Sequence, residues 1–207
     1  RSDVSFALIK NIDWREIRCI LQVSIPRALT LSVNQLVLLV LIGMATVMTA
    51  GSVAVFQFAF NLQSVPLAII GMSYSVAAFP TLSSLFAKRD QSGFNRQLLT
   101  ALRHIIFWSV PIVALVVVLR AQIVRVLLGS GAFDWGDTRL TAAVLAMLVV
   151  SLAAQAALLL LVRAFYAGGK TLIPLATAVV SASVTVGFAW WLAATFAASP
   201  VLQASLA

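Results

Sequence analysis

Long apolar runs bounded by charged residues constrain this chain more than any other feature of its sequence. A bilayer core of about 30 Å takes roughly 20 helical residues to cross, and five apolar runs reach that length. They cover approximately residues 25–48, 53–87, 98–119, 140–166 and 172–196. The composition, 62% hydrophobic and 10% charged with a mean hydropathy of +1.06, also lies outside the range of soluble globular domains. The sequence therefore predicts an all-α membrane protein, a polytopic bundle of about five transmembrane helices.

The runs divide the chain into a lead-in, a bundle and a tail. Residues 25–197 form the predicted five-helix transmembrane bundle, and residues 198–207 form a truncated tail. Residues 1–24 form a cytoplasmic amphipathic lead-in, with apolar residues such as Trp14 and Leu21 at helical spacing and arginines on the other faces. This lead-in is either a short helix on the membrane surface or an ordinary extension of the first span. The odd number of spans, and a start on Arg rather than Met, favour a piece of a longer protein.

Basic residues fall mainly on one side of the predicted bundle. The net charge is +8, but most of the positive charge lies before the first run, around Lys88 and around Lys170. The connections on the other side carry only Arg120, Arg125 and Arg139. This asymmetry follows the positive-inside rule and predicts a cytoplasmic amino terminus for the segment. It also accounts for the charge without a nucleic-acid partner and leaves membrane lipids as the surroundings.

The second apolar run carries a polar stripe. Pro66 removes a backbone donor inside the run, which predicts one long kinked helix. Successive intervals of 4, 3, 4, 3 and 4 predict that six polar or small residues share one face of that helix: Gln57, Asn61, Ser64, Ala68, Gly71 and Ser75. An unpaired amide costs several kcal/mol in hydrocarbon. The stripe should therefore face protein or water rather than lipid.

Similar residues occur in other runs, and two interpretations of them compete. Small and polar side chains can hold helices together, or they can line a hydrated cavity that a polar substrate crosses. The length of the stripe favours a cavity for Gln57, Asn61 and Arg27, and packing for Ala68 and Gly71. The candidate cavity-lining, substrate-binding residues are Arg27, Asn34, Gln35, Gln57, Asn61, Ser64 and Gln155.

Residues for catalysis are missing from the predicted spans. Every acidic residue lies outside them, so no buried carboxylate pair can act as acid and base there. With one histidine and one cysteine in the chain, the sequence predicts no metal site, no cofactor and no enzymatic activity.

Four sequence runs resemble a known family. They are SIPRALTLSVNQ at 24–35, VPLAIIGMSYSVAAFPTLSSLFAKRD at 65–90, GSGAFDWGDT at 129–138 and RAFYAGGKTLIP at 163–174. They are similar to the MviN/MurJ lipid II flippases of the multidrug/oligosaccharidyl-lipid/polysaccharide exporter superfamily, and the resemblance covers nearly the whole chain.

The resemblance implies a two-lobe exporter fold of fourteen transmembrane helices around a cationic cavity, with this chain forming most of the second lobe. It also implies flipping of the lipid-linked peptidoglycan precursor by alternating access across the bacterial inner membrane. The partners would be the anionic lipid-linked oligosaccharide and the first lobe and remaining helices of the same protein. Better-known members of the family carry an Asp-Arg pair where this sequence has Phe60 and Asn61. Either another cation, with Arg27 as the candidate, takes the role of that arginine, or the substrate contact lies in the missing lobe.

Two alternatives remain open at this stage. Another exporter of the superfamily could carry a different polysaccharide lipid or a drug, although a drug exporter would more often use an acid inside the membrane. A scaffold for cell-wall proteins, with no transport activity, would also tolerate the loss of the family arginine.

Overall fold

The computed structural model describes residues 14–46, 51–128 and 135–197, and these residues are helical apart from short turns. They form seven α-helices and one π-helical segment. The helices are α1 (Trp14–Thr46), α2 (Ser52–Leu67), α3 (Ser73–Ala87), α4 (Gln91–Leu128), α5 (Trp135–Val150), α6 (Leu152–Ala167) and α7 (Leu172–Ala197), and the π-helical segment is Ala68–Met72 between α2 and α3.

Four stretches are long and apolar enough to cross a membrane: Ile20–Thr46, Ser52–Ala87, Gln91–Leu127 and Leu172–Thr195. Helices α5 and α6 make a fifth crossing if they are taken together, although they are bent by 45° at the break between them. The predicted fold class, an all-α membrane bundle of about five spans, is confirmed.

The first helix is continuous from Trp14 to Thr46. The residues just before position 25 therefore extend the first span, which was one of the two alternatives for the lead-in. Residues 1–13 and the tail at 198–207 lie outside the described residues, so the division into lead-in, bundle and tail stays a prediction.

The second span runs unbroken from α2 through the π-helical segment to α3, over 36 residues. Its irregularity begins two residues after Pro66, which lacks a backbone N–H and crowds the carbonyl four residues earlier. A π-turn holds one residue more than an α-turn. The irregularity in this span is thus an inserted residue, and the kink stays a prediction.

Two clusters of buried side chains hold α2 to α6 together. The first surrounds Leu82, Ile105, Leu152 and Leu160, and joins α3, α4 and α6. The second surrounds Val124, Leu145 and Val149, and joins α2, α4 and α5. Because α4 supplies residues to both clusters, it is the helix against which the other spans of this bundle pack.

Helices α1 and α7 stand apart from that bundle. Each packs mainly against the other, with smaller contacts from α1 to α2 and from α6 to α7. Most of their apolar side chains are exposed, for example Leu31, Val180 and Trp190. The described chain is therefore a bundle of α2 to α6 with a two-helix arm, α1 and α7, beside it.

Two turns of the same type close the end of the bundle where Lys88 and Lys170 lie. After α3, the backbone N–H of Asp90 donates to the carbonyl of Leu85, with Arg89 in the left-handed region at φ 57°. After α6, the N–H of Lys170 donates to the carbonyl of Phe165, with Gly169 at φ 69°. Both have the hydrogen bonds of a Schellman motif, whose left-handed position is usually glycine.

Asp90 also begins α4. One carboxylate oxygen, Oδ1, accepts hydrogen bonds from the Gly93 N–H and the Ser92 hydroxyl, each at 2.9 Å. These hydrogen bonds, that of the Gly93 N–H first, lower the pKa of Asp90 from its ordinary value because they favour the charged form.

Candidate functional site

The stripe residues that fall on α2 keep one face in common. Gln57, Asn61 and Ser64 lie in uninterrupted α-helix, so intervals of four and three residues align them. Asn61 and Ser64 are exposed, and Gln57 is half-buried. The Ser64 hydroxyl donates to the Asn61 backbone carbonyl at 2.7 Å. Within the described ranges, the side-chain amides of Gln57 and Asn61 make no hydrogen bond.

The stripe does not continue on that face beyond α2, and the prediction that all six residues share one face is wrong. Ala68 is exposed, but Gly71 and Ser75 are buried. An inserted residue rotates everything beyond it by about 100° relative to a regular α-helix. The π-helical segment therefore turns Gly71 and Ser75 inward. There the Ser75 hydroxyl donates to the Gly71 carbonyl, and Gly71 packs against Ala156 of α6.

Helix α1 carries two further amides, Asn34 and Gln35. Both are exposed, and neither amide bonds to another described residue. Asn34 lies 12 residues before the end of α1, and Asn61 lies nine residues after the start of α2. At 1.5 Å per residue these positions are about 18 Å and 14 Å from the connection between the two helices. The amides of α1 and α2 therefore lie at similar depth.

Arg27 lies on α1 towards its amino-terminal end and reaches α6. Its guanidinium carbon is 5.3 Å from the centre of the Tyr166 ring, which is within the range of a cation–π interaction. Arg27 itself is exposed, and on the next turn the buried Thr30 hydroxyl donates to the Pro26 carbonyl at 2.8 Å. Arg27 thus connects the α1–α7 arm to the bundle while its guanidinium remains accessible.

Gln155 differs from the other candidates because its amide is already used. It is half-buried on α6 and donates to the Ser151 hydroxyl at 2.6 Å. The hydroxyl of Ser151 in turn donates to the carbonyl of Leu148 at 2.7 Å. Gln155 is therefore part of the break between α5 and α6.

Sequence reasoning missed two side chains that the structure brings to these positions. Tyr166, the partner of Arg27, carries no signal beyond being an aromatic residue near a helix end. Gln63 is on α2 but off the stripe, 2% exposed, and donates to the carbonyl of Leu148 at 3.0 Å. The amide of Gln63 within an apolar run indicates that this side chain needs a hydrogen-bond partner. The sequence does not identify that partner, because it lies 85 residues away.

Charges inside the spans are sparse. Among the described acids, Glu16 lies in the first turn of α1, Asp90 in the turn before α4 and Asp137 in the first turn of α5. The described residues contain no group of histidine, cysteine and acidic side chains that could hold a metal ion. In the spans formed by α1 and α2, the polar chemistry therefore consists of amides, hydroxyls and the guanidinium of Arg27.

These features define a multi-pass helical membrane protein with a face of unpaired amides at membrane depth. The chain belongs to the MurJ family: the family model described as lipid II flippase MurJ matches residues 1–206. Members of that family move a lipid between leaflets and are transporters rather than enzymes, in agreement with the sequence prediction.

Curated proteins similar to this chain carry the name probable lipid II flippase MurJ. The protein of Thermotoga maritima is 29% identical over 74% of this chain and 32% of its own length. The protein of Bdellovibrio bacteriovorus is 26% identical over 88% of this chain and 35% of its own length. The protein of Rhizobium meliloti is 24% identical over 92% and 35% respectively. The chain thus spans about a third of the length of these relatives, and no solved structure matches it significantly.

Proposed function

We propose that the protein containing this chain flips the lipid-linked peptidoglycan precursor, lipid II, across the bacterial inner membrane by alternating access. The chain forms part of one lobe, and the residues that complete the lobe and the cavity lie outside it. Membership in the MurJ family supports the substrate, since the relatives bear that name.

The observation that carries the proposal is the set of unpaired amides on α1 and α2. Asn34, Gln35, Gln57 and Asn61 lie well inside long apolar helices, yet none of their side chains bonds to another described residue. Each would cost several kcal/mol if it faced hydrocarbon. Water and the sugar and phosphate oxygens of a polar headgroup satisfy such amides, and a central cavity would supply both. Ser64 lies on the same face of α2 and contributes a hydroxyl.

Arg27 supplies the positive charge for the anionic headgroup in this proposal. A guanidinium can bind phosphate oxygens with two parallel hydrogen bonds, whereas the amide at Asn61 can donate a hydrogen bond but brings no charge. Tyr166 holds the guanidinium from one side, at 5.3 Å, and leaves its exposed edge for the ligand. Gln155 remains a cavity-lining candidate on α6 in this proposal, with its amide nitrogen bonded to the hydroxyl of Ser151.

The basic end of the bundle faces the cytoplasm in this proposal. Lys88, Arg89 and Lys170 lie in the two turns at that end, as the positive-inside rule requires. Two variants with a single cysteine test this orientation: Ser92→Cys at the start of α4 and Gly136→Cys at the start of α5, which lie at opposite ends of the bundle. Intact cells that carry either variant are treated with a membrane-impermeant maleimide. The proposal requires labelling at position 136 and protection at position 92, and the reverse pattern would contradict it.

The transport proposal is tested with fluorescent lipid II in vesicles containing the intact protein. An impermeant reagent that modifies only outer-leaflet lipid measures movement between leaflets. The test variants are Asn61→Leu and Arg27→Gln. The matched control is Gln122→Leu, which removes an exposed amide near the carboxy-terminal end of α4.

We expect each test variant to raise the lipid II concentration required for half-maximal movement by about ten- to 150-fold, because a hydrogen bond to a charged group contributes about 1.5–3 kcal/mol. The control should behave as the wild type. Wild-type vesicles that move a different lipid-linked saccharide but not lipid II would favour another exporter of the superfamily. No movement of any such lipid would leave the scaffold as the better interpretation.

A further inference from the structure

Gln63 makes a buried contact between two spans that are both irregular. Its side chain is 2% exposed, and its amide nitrogen, Nε2, donates to the backbone carbonyl of Leu148 at 3.0 Å. Leu148 lies in the last turn of α5, three residues before Ser151, where the chain bends by 45° into α6. The hydrogen bond therefore crosses from α2 directly to the bend.

The carbonyl of Leu148 has an unusual set of donors. It accepts the Ser151 N–H at 3.1 Å and the Ser151 hydroxyl at 2.7 Å, in addition to the amide of Gln63. In a straight α-helix this carbonyl would accept the N–H of Leu152, four residues on. At the bend, the donors from Ser151 and Gln63 satisfy it, and Gln155 fixes the hydroxyl of Ser151 from the other side at 2.6 Å.

The irregular part of the other span touches α6 just beyond the bend. Gly71, in the π-helical segment, lies so close to Ala156 that an added Cβ would be 3.0 Å from the Ala156 Cα. Eight residues separate Gln63 from Gly71, and eight separate Leu148 from Ala156, so the two spans run in the same direction with matched register. In this register the π-helical segment packs on α6 within about two turns beyond the bend at Ser151.

We propose that Gln63 is a positioning residue that stabilises the bend between α5 and α6 and couples it to the π-helical segment of the α2–α3 span. The role of this hinge, the bend together with the π-helical segment, rests on the proposed transport function. When access alternates, the α2–α3 span and the α5–α6 span change their direction together at the hinge. If α5 and α6 straightened, Leu152 would take the carbonyl of Leu148, and the amide of Gln63 would be buried without a partner.

The proposal predicts the effect of removing the amide. Gln63→Met keeps an unbranched side chain of similar size but donates no hydrogen bond, so the penalty that opposes straightening disappears. The ratio of straight to bent conformers should rise by about five- to thirty-fold, the factor expected for loss of one buried hydrogen bond. Gln122→Met makes the same chemical change at an exposed position of α4 and should leave the ratio unaltered.

The ratio is measured as a distance distribution between two spin labels by double electron–electron resonance, on the intact protein in lipid nanodiscs in a background without native cysteines. The labels replace Leu140, exposed near the outer end of α5, and Trp190, exposed in the second half of α7. Leu140 lies 11 residues before Ser151, which is about 16 Å of helix. Loss of the 45° bend would displace Leu140 by roughly 12 Å relative to α6. This displacement is well above the spread of distances that the motion of a spin label itself produces.

Each outcome decides the proposal. A new or enlarged population at the displaced distance in Gln63→Met, absent in Gln122→Met, supports it. Identical distributions in Gln63→Met and wild type overturn it. If Gln63→Met does not yield folded protein, Gln63→Asn replaces it; this amide is one methylene too short to reach Leu148, and the same two results decide.

A transport measurement separates this inference from the proposed function. In the lipid II assay, Gln63→Met should lower the maximal rate several-fold while the half-saturating lipid II concentration stays the same, unlike the variants of Arg27 and Asn61. A changed distance distribution with an unchanged rate would overturn the role in transport. The distances are recorded without substrate, so failure of the wild type to move lipid II would count against the proposed function alone.

Discussion

Replacing Gly71 with alanine tests the closest approach between the two irregular spans. A Cβ at this position would lie 3.0 Å from both Cα and Cβ of Ala156 and 3.1 Å from Cδ1 of Leu159. Carbon atoms in ordinary contact are about 3.5–4.0 Å apart, so the spans would have to separate by roughly half an ångström. Rotation of a side chain cannot relieve the contact, because one of the atoms is backbone. Overpacking of this kind costs about 1–3 kcal/mol, more than the about 0.5–1 kcal/mol that alanine gains over glycine in a helix.

The same substitution at Gly187 is the matched control. Gly187 lies within α7, and a Cβ there would have no neighbour within 4 Å. Gly187→Ala should therefore raise stability slightly through helix propensity. The assay is thermal unfolding of the intact protein in detergent. A net loss of about 1–2 kcal/mol in Gly71→Ala corresponds to a fall in Tm of roughly 2–8 °C. If Gly71→Ala melted at or above the wild-type temperature, the close packing of Gly71 against Ala156 would be refuted.

Three further predictions concern other parts of the bundle. Arg89→Gly should raise the Tm and Gly169→Ala should lower it, because both positions are left-handed and only glycine adopts that conformation without strain; equal signs would contradict the two Schellman turns. Leu160→Ala, at a fully buried position, should cost about 2–5 kcal/mol of unfolding free energy, whereas Leu158→Ala on the exposed face should cost far less; similar losses in chemical denaturation would contradict the described core. The lowered pKa of Asp90 stabilises the folded state fully above the unfolded pKa, near 3.8, and this contribution is lost as the pH falls through the folded pKa. The Tm advantage of wild type over Asp90→Asn should therefore shrink as the pH is lowered below about 4, and an advantage that is constant with pH would contradict this assignment.

Hydropathy located the spans because the cost of exposing backbone and charge to lipid depends on composition more than on sequence detail. The same reasoning placed the irregularity of the second span near Pro66, since proline acts locally through its missing N–H. It could not foresee that the irregularity would be a π-turn. That single inserted residue is why Gly71 and Ser75 left the face predicted for them.

The break at Ser151 was not predictable from local sequence. Neither glycine nor proline lies between Leu145 and Leu160, so the usual signals of a helix break are missing. The carbonyl at the bend accepts a hydrogen bond from Gln63, whose position in sequence is remote from it. Contacts of this kind are tertiary, and periodicity within one run carries no information about them. The pairing of α1 with α7 was missed for the same reason.

The pairing of the first and last helices affects the order in which the protein can be assembled. Helix α1 ends at Thr46, and its main partner begins at Leu172, 126 residues later. At about 5–20 residues per second, the ribosome needs roughly 6–25 s to synthesise the intervening chain. During that interval α1 lacks the helix with which it makes most of its contacts among the described residues. Newly made chains should therefore be more vulnerable to membrane proteases before α7 emerges than after it has paired with α1.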